Sequence, residues 1–384
     1  MMINYKQRMQ RFQGLIAGAA DLVFFPIATD LDYLTGIHRD IPCYGRVLHP
    51  GAWLEGAWLS ADKGPILTLP RMTAELGGKG GIEGFEIRVL GDWDDPAVMA
   101  KAIIDEMKLP ASPRVAVSEN AEAESLIEIQ KLIPDARFVS ATKILRQLRV
   151  IKDADEIAIM REAGRITEAA LTDAIATFKL GMTELDVVAE LDYQMKRHGS
   201  LGPSFTTSLY NTGTNHPMLL GQPLKTWPRK LNPPVSVLLD FGAVLDGMCY
   251  DYGRTVSFGA PSAEQVKVHR LIMDSQAAGI AALKAGQATC AEVDKAARDV
   301  IAAAGYDKAF RHRLGHAIGA DVHEPPFLTK GSDTVVQEGM IFTVEPSILQ
   351  DGSFSARVED CIVVRPEGGE KLTNGFQDLI VVDA

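Results

Sequence analysis

Up to about residue 145 the chain alternates short β-branched and aromatic runs with segments of helical period. "DLVFFP" predicts a strand, and "WLEGAWLS-ADKG-PILTL" predicts a hairpin. "DPAVMAKAIIDEMKL" predicts a helix with Asp95 at the cap and Pro96 in the first turn. "RVAVS" and "ARFVS" predict two further strands around a helix over 119–133. This is the pattern of a mixed α/β domain. The glycine run "GGKGGIEG" has neither dinucleotide-binding nor Walker spacing and no helix directly behind it, so it reads as a loop.

From "LRVIKDADEIAIMREAGRITEAALTDAI" onward the pattern changes to long amphipathic helices. Asp153 with Glu156, Ser262 with Gln265 and Thr289 with Glu292 each have capping-box spacing, which marks three helix starts. "FKLGMTELDVVAELDYQMKRHG" and "LKAGQATCAEVDKAARDVIAAAG" both run helix, glycine, capped helix, glycine, with Gly181 and Gly286 as matching positions. β-rich sequence follows each copy. Two helix-helix-strand halves packed around a shared site are expected.

In "LLDFGAVLDGMCYDYGRT", Asp240 and Asp251 flank an Asp246-Gly247 pair. A two-residue type I′ turn there places Asp240 opposite Gly253, with Asp251 two residues away on the same face. Such diagonal neighbours are roughly 7–8 Å apart, close enough for both carboxylates to reach one ion. In "MIFTVEPSILQDGSFSARVEDCIVV", a three-residue Asp351-Gly352-Ser353 loop sets Glu345 opposite Glu359. Like charges so placed repel unless something positive lies between them. Solvated carboxylates are common on acidic proteins, but these four have apolar neighbours in strand-like sequence, where an unpaired charge is costly.

Composition narrows the function classes. The chain has 384 residues, enough for two domains with a core each, and is 46% hydrophobic and 23% charged. A net charge of −11 argues against a nucleic-acid or anionic-membrane surface. The apolar stretch "GLIAGAADLVFFPIA" is interrupted by Asp21 and Pro26, too short to span a bilayer, and no cleavable leader is expected. Cys43, Cys249, Cys290 and Cys361 form no CxxC pair, so reduced thiols in a cytoplasmic protein are expected.

"RLGHAIGADVHEPPF" adds His316 and His323 beside glycines. Four carboxylates balance two divalent cations, and an oxygen-rich set with one imidazole suits manganese or cobalt better than a thiolate-style zinc site.

"DFGAVLDGMCYDYGRT", "LGHAIGADVHE", "FTVEPSI" and "ARVED", in that order, resemble the five-ligand signature of the pita-bread metallopeptidases: Xaa-Pro dipeptidases (prolidases), aminopeptidase P and their creatinase-like and methionine aminopeptidase relatives. "DLVFFPIATDLDYLTGI" resembles the start of the creatinase/prolidase N-terminal domain, and "LRVIKDADEI" its junction with the catalytic domain. The resemblance implies an α+β chain. A mixed α/β creatinase/prolidase-like domain would occupy 1–148, and a pita-bread catalytic domain with pseudo-twofold helix-helix-strand halves would occupy 149–384.

It further implies that Asp240 binds one of two divalent ions, that His316 and Glu345 bind the other, and that Asp251 and Glu359 bridge them. The ions implied are Mn²⁺, with Co²⁺ or Zn²⁺ as alternatives. A hydroxide held between them would be the nucleophile, with Glu345 as general acid/base. His216 in "NTGTNHP" and His323 in "GADVHE" match the family's catalytic, substrate-contacting histidines. Arg357 falls where relatives bind a substrate carboxylate or hold a ligand, a plain ion pair being the other reading. A homodimer is implied as well. Trp53 and Trp58 would suit its interface or the core.

The chain departs from the family pattern at Gly253, where Thr is common, at "GHAIG" for "GHGIG", and at His216, which follows its Asn directly. All five ligands remain. The expected reaction is hydrolysis of the bond before proline in a small peptide. A non-peptide hydrolase acting on a small amide, guanidino or cyclic solute and a metal-free interaction module are the other readings.

Overall fold

The structure is a computed structural model in which residues 3–39, 48–76, 85–213 and 216–383 are described. Cys43 and the glycine run 77–84 lie outside the described residues. The chain divides into two compact units, one ending at Arg149 and the other running Val150–Ala384.

The first unit is built on a six-stranded sheet in the order Glu86–Leu90, Ile66–Pro70, Gly56–Leu59, Leu22–Pro26, Arg114–Val117, Arg137–Ser140. Leu22–Pro26 ("LVFFP") pairs antiparallel with the hairpin strand Gly56–Leu59 and parallel with Arg114–Val117. Phe24 stacks on Trp58 at 4.6 Å, and Trp53 packs against the same core cluster, so both tryptophans serve the interior of this unit. Helix Pro96–Met107 starts on the Asp95 cap as its sequence predicts. The helix expected over 119–133 is shorter, Ala123–Leu132. The Glu119 N–H donates to Thr142 Oγ1 at 2.9 Å and the Asn120 N–H to Ser118 Oγ at 3.1 Å, so side chains satisfy donors that an earlier helix start would leave free.

The second unit holds two helix pairs, Ala154–Ile175 with Glu184–Arg197 and Ala263–Ala282 with Cys290–Ala303. Asp153, Ser262 and Thr289 close the three expected capping boxes. A fourth, Thr183 with Asp186, starts Glu184–Arg197. Gly181 and Gly286 both have positive φ, 83° and 72°, which glycine adopts without the clash a Cβ would bring. The two repeats therefore turn alike into their second helices.

Two sheets accompany the helix pairs. One has the order Ile380–Val382, Tyr252–Phe258, Val235–Phe241, Ser208–Thr212; the other has Glu324–Leu328, Gly315–Ala317, Ile341–Val344, Asp360–Arg365, Gly368–Lys371. The arms of the acidic hairpins run into these sheets, Val235–Phe241 and Tyr252–Phe258 in the first, Ile341–Val344 and Asp360–Arg365 in the second, with Ser347–Gln350 and Phe354–Arg357 forming a separate two-stranded ladder. The two hairpins meet where Gly253 and Glu359 exchange both backbone hydrogen bonds, at 3.3 and 2.9 Å. No helix among the described residues is long and apolar enough to cross a membrane.

Candidate metal centre

Both hairpins have the register their turns dictate. Asp246 and Gly247 have φ of 45° and 74°, as a type I′ turn requires, and Asp240 pairs with Gly253. In the second hairpin Ser347 pairs with Arg357, and beyond the gap Val344 pairs with Asp360. Glu345 and Glu359 thus stand level.

These strands deliver the five residues to one place. The ligand atoms of His316, Glu345 and Glu359 lie within 4.8 Å of one another, as do those of Asp240, Asp251 and Glu359. None is a surface group: Asp240 and Glu345 are 8% exposed, Asp251 3%, and His316 and Glu359 1%. His316 Nδ1 lies 3.1 Å from the Ala317 carbonyl, which fixes the proton there and leaves the Nε2 lone pair facing Asp251 and Glu345 at 3.5 and 3.7 Å. Burial lowers the His316 pKa, which favours the neutral form a ligand needs.

A polar network behind Glu359 fixes its backbone. Arg254 Nη1 donates to the Glu359 carbonyl at 2.6 Å, Arg254 Nη2 bonds Asp360 Oδ1 at 2.6 Å, and Lys371 Nζ bonds Asp360 Oδ2 at 2.8 Å. Burial pushes the Asp360 carboxyl up, but Arg254 and Lys371 overcome this and hold it below the usual range. Glu359, one residue earlier, is raised well above it by burial and then by Asp251, Glu345 and Asp240.

The donor set fits divalent cations. Asp251 Oδ1 and Glu359 Oε2 are buried and have no hydrogen-bond partner, which a carboxylate tolerates poorly without a cation. Arg357 supplies part of the counter-charge: its Nη1 is 2.9 Å from Asp240 Oδ2 and 3.5 Å from both Glu345 Oε2 and Glu359 Oε2. Its guanidinium is thus engaged by three carboxylates of the cluster.

The cluster forms one wall of a cavity of about 850 Å³. His323 lines it, its ring 3.8 Å from that of His316. His216 does not belong to the lining; its Nε2 bonds the Lys230 carbonyl at 2.8 Å and so anchors its own loop. His312, Arg313, Tyr210, Phe205 and Phe327 line the cavity and were not singled out in the sequence. His312 and Arg313 lie within four residues of His316, a signal available in "FRHRLGH". His312 Nδ1 is 2.7 Å from the Arg313 carbonyl, and its Nε2 contacts Ser347 Oγ; burial, with Arg357 nearby, lowers its pKa to about 3.

Comparison with known proteins agrees with this geometry. A putative dipeptidase of Bacillus subtilis is 28% identical over 98% of this chain and 99% of its own. A Xaa-Pro dipeptidase of Lactobacillus helveticus is 36% identical over 65% of this chain and 67% of its own. The solved structure of a recombinant prolidase from Thermococcus sibiricus superposes with a TM-score of 0.86 at 25% identity, covering 100% of both chains. Residues 158–366 match metallopeptidase family M24. The two-hairpin carboxylate cluster lies within that matched span, and the chain belongs to metallopeptidase family M24, with its pita-bread fold.

Proposed function

We propose that this metallopeptidase hydrolyses the bond before proline in small peptides, with Asp240, Asp251, His316, Glu345 and Glu359 holding two divalent ions, Mn²⁺ in the first instance. The observation that carries this reading is the convergence of four buried carboxylates and one neutral imidazole on one cavity wall. The printed activity of the Lactobacillus helveticus relative supports the choice of substrate. Two bound ions would supply Lewis acidity and lower the pKa of an attacking water.

The rest falls to the chain's own side chains. Glu345, bonded through its backbone N–H to the Leu314 carbonyl at 2.9 Å, takes the proton of the attacking water and passes it to the proline nitrogen. The proline nitrogen has no N–H of its own, so it must gain that proton to leave as an amine. His323 Nδ1 lies 3.1 Å from Arg313 Nη2 and accepts from it, which leaves the Nε2–H to donate to substrate. Arg357 orients Asp240. Assembly as a homodimer belongs to the same proposal and predicts a dimer mass by light scattering.

Turnover of Ala-Pro, Xaa-Pro tripeptides and a panel of small amide and guanidino solutes by Mn²⁺-loaded protein tests the reading. Cleavage of Ala-Pro with none of the solutes is expected. Cleavage confined to a solute would replace the peptide substrate.

A further inference from the structure

Glu345 and Glu359 both turn their N–H groups out of their hairpin, to Leu314 and Gly253, and Arg357 likewise donates its N–H outward, to Thr255 Oγ1 at 2.9 Å. In an antiparallel ladder such outward-bonded residues alternate with pairs that bond each other. Val344 opposite Asp360 and Ser347 opposite Arg357 put Pro346 level with Val358, at a position where the two strands should bond across the hairpin. Proline has no N–H. The Val358 carbonyl therefore lacks the donor that the opposite strand would ordinarily supply.

Gln276, on the helix Ala263–Ala282 and 1% exposed, fills that gap. Its Nε2 lies 3.2 Å from the Val358 carbonyl, 3.1 Å from the Val344 carbonyl and 3.0 Å from Asp360 Oδ2. Its Oε1 accepts from Lys371 Nζ at 3.0 Å. The amide thus has one satisfactory orientation, because turned over it would set an oxygen against three oxygens. Val344 and Val358 are the residues immediately before the two glutamates. One buried side chain holds both strands at the point where their own pairing is interrupted.

We propose that Gln276 is a positioning residue of the metal centre. By tying the Val344 and Val358 carbonyls together it fixes the spacing of Glu345 and Glu359, so that both carboxylates are set for the ions; this rests on the two-ion reading above. Gln276 also joins the Arg254–Asp360–Lys371 network, which fixes the Glu359 backbone, to the strand of Glu345.

The test uses Gln276→Met, which keeps the length and bulk of the side chain and removes its donor. Ser275→Ala is the control: Ser275 Oγ donates to the Ala297 carbonyl at 2.7 Å, so its loss loosens the same helix pair and removes no bond to either glutamate strand. In calorimetric titration of chelated, repurified protein, Gln276→Met should bind Mn²⁺ roughly 10- to 100-fold more weakly than wild type, the range for groups that orient metal ligands. Ser275→Ala should stay within a few-fold. Amide hydrogen exchange of the chelated proteins, read by mass spectrometry, should rise over 341–350 and 354–365 in Gln276→Met and not in Ser275→Ala. Undiminished Mn²⁺ affinity in folded Gln276→Met, or unchanged exchange in both segments, overturns the proposal, as does equal weakening in Ser275→Ala. If Gln276→Met does not fold, Gln276→Asn, which keeps the amide but draws it back by about 1.5 Å, decides by the same criteria. Absence of Mn²⁺ binding by wild type would reject the two-ion reading instead. The exchange measurement then decides alone: a rise confined to the Gln276 variant supports the tie between the strands, and equal exchange in all three proteins overturns it.

Discussion

Glu345 and Glu359 stand level in the register of their hairpin but exchange no ladder hydrogen bond: the Glu345 N–H donates to Leu314 and the Glu359 N–H to Gly253, each at 2.9 Å. The ladder opens at the point where two buried carboxylates face each other. The chain thereby gives up pairing to seat two carboxylates, which when both are ionised repel unless positive charge lies between them.

This sets the pH dependence. Burial holds Asp240, Asp251, Glu345 and Glu359 above the usual carboxylate range, Arg357 pulls all four partly back, and neighbouring carboxylates add to the rise on Asp240, Glu345 and Glu359. In chelated protein the folded pKa values exceed the unfolded ones, so the stability from this cluster is full below about pH 4 and is lost as pH rises through the folded values. Ligation needs the ionised forms. The Tm difference between Mn²⁺ and chelator should therefore widen from pH 5 to pH 8 in melts followed by circular dichroism, and a constant or shrinking difference would contradict the cluster's role.

Arg357→Ala removes the cation bonded to Asp240. In chelator this should destabilise the protein by about 3 kcal/mol in urea unfolding, the scale of a broken buried ion pair. With Mn²⁺ the loss should be smaller, because the metal ions supply counter-charge. Equal losses in the two conditions would make Arg357 a structural residue unconnected with the site.

The two histidines matched to the family should separate. His216 bonds the Lys230 carbonyl outside the cavity lining, so His216→Ala should cost about 1 kcal/mol of stability, a typical hydrogen bond, with little change in kcat. His323 lines the cavity, and His323→Ala should lower kcat roughly 10²–10⁴-fold at unchanged metal content. The reverse pattern in steady-state kinetics would return His216 to the reaction.

How much of this was legible follows from which interactions are local. Turn chemistry at Asp246-Gly247 and Asp351-Gly352-Ser353 sets both registers, so the positions of the four carboxylates could be read before any fold. The capping boxes are equally local; Thr183 escaped because its N3 partner is Asp186 where Glu or Gln is usual. The placement of His216, His312 and Arg313 is not local. It depends on which loop meets the cavity wall, and adjacency to His316 in the chain does not by itself say that a side chain enters the cavity. The late start of helix Ala123–Leu132 likewise depends on Thr142, far along the chain.

Gly242 lies between the two aspartates, and a Cβ there would come within 1.8 Å of the Tyr250 carbonyl on the opposing strand. Gly242→Ala should cost about 1–3 kcal/mol, as overpacking does, and should lower Mn²⁺ affinity by displacing Asp251. Urea unfolding and Mn²⁺ titration check both effects, and loss of stability with unchanged affinity would uncouple the hairpin from the site.

The central claim is that the five converging residues form a two-ion centre. Elemental analysis of protein purified without chelator and resupplied with Mn²⁺ measures it directly. The account predicts close to two ions per chain in wild type, and a marked loss of metal together with Ala-Pro turnover in both Asp251→Ala and Glu359→Ala. Full metal content and full activity in both variants would contradict it.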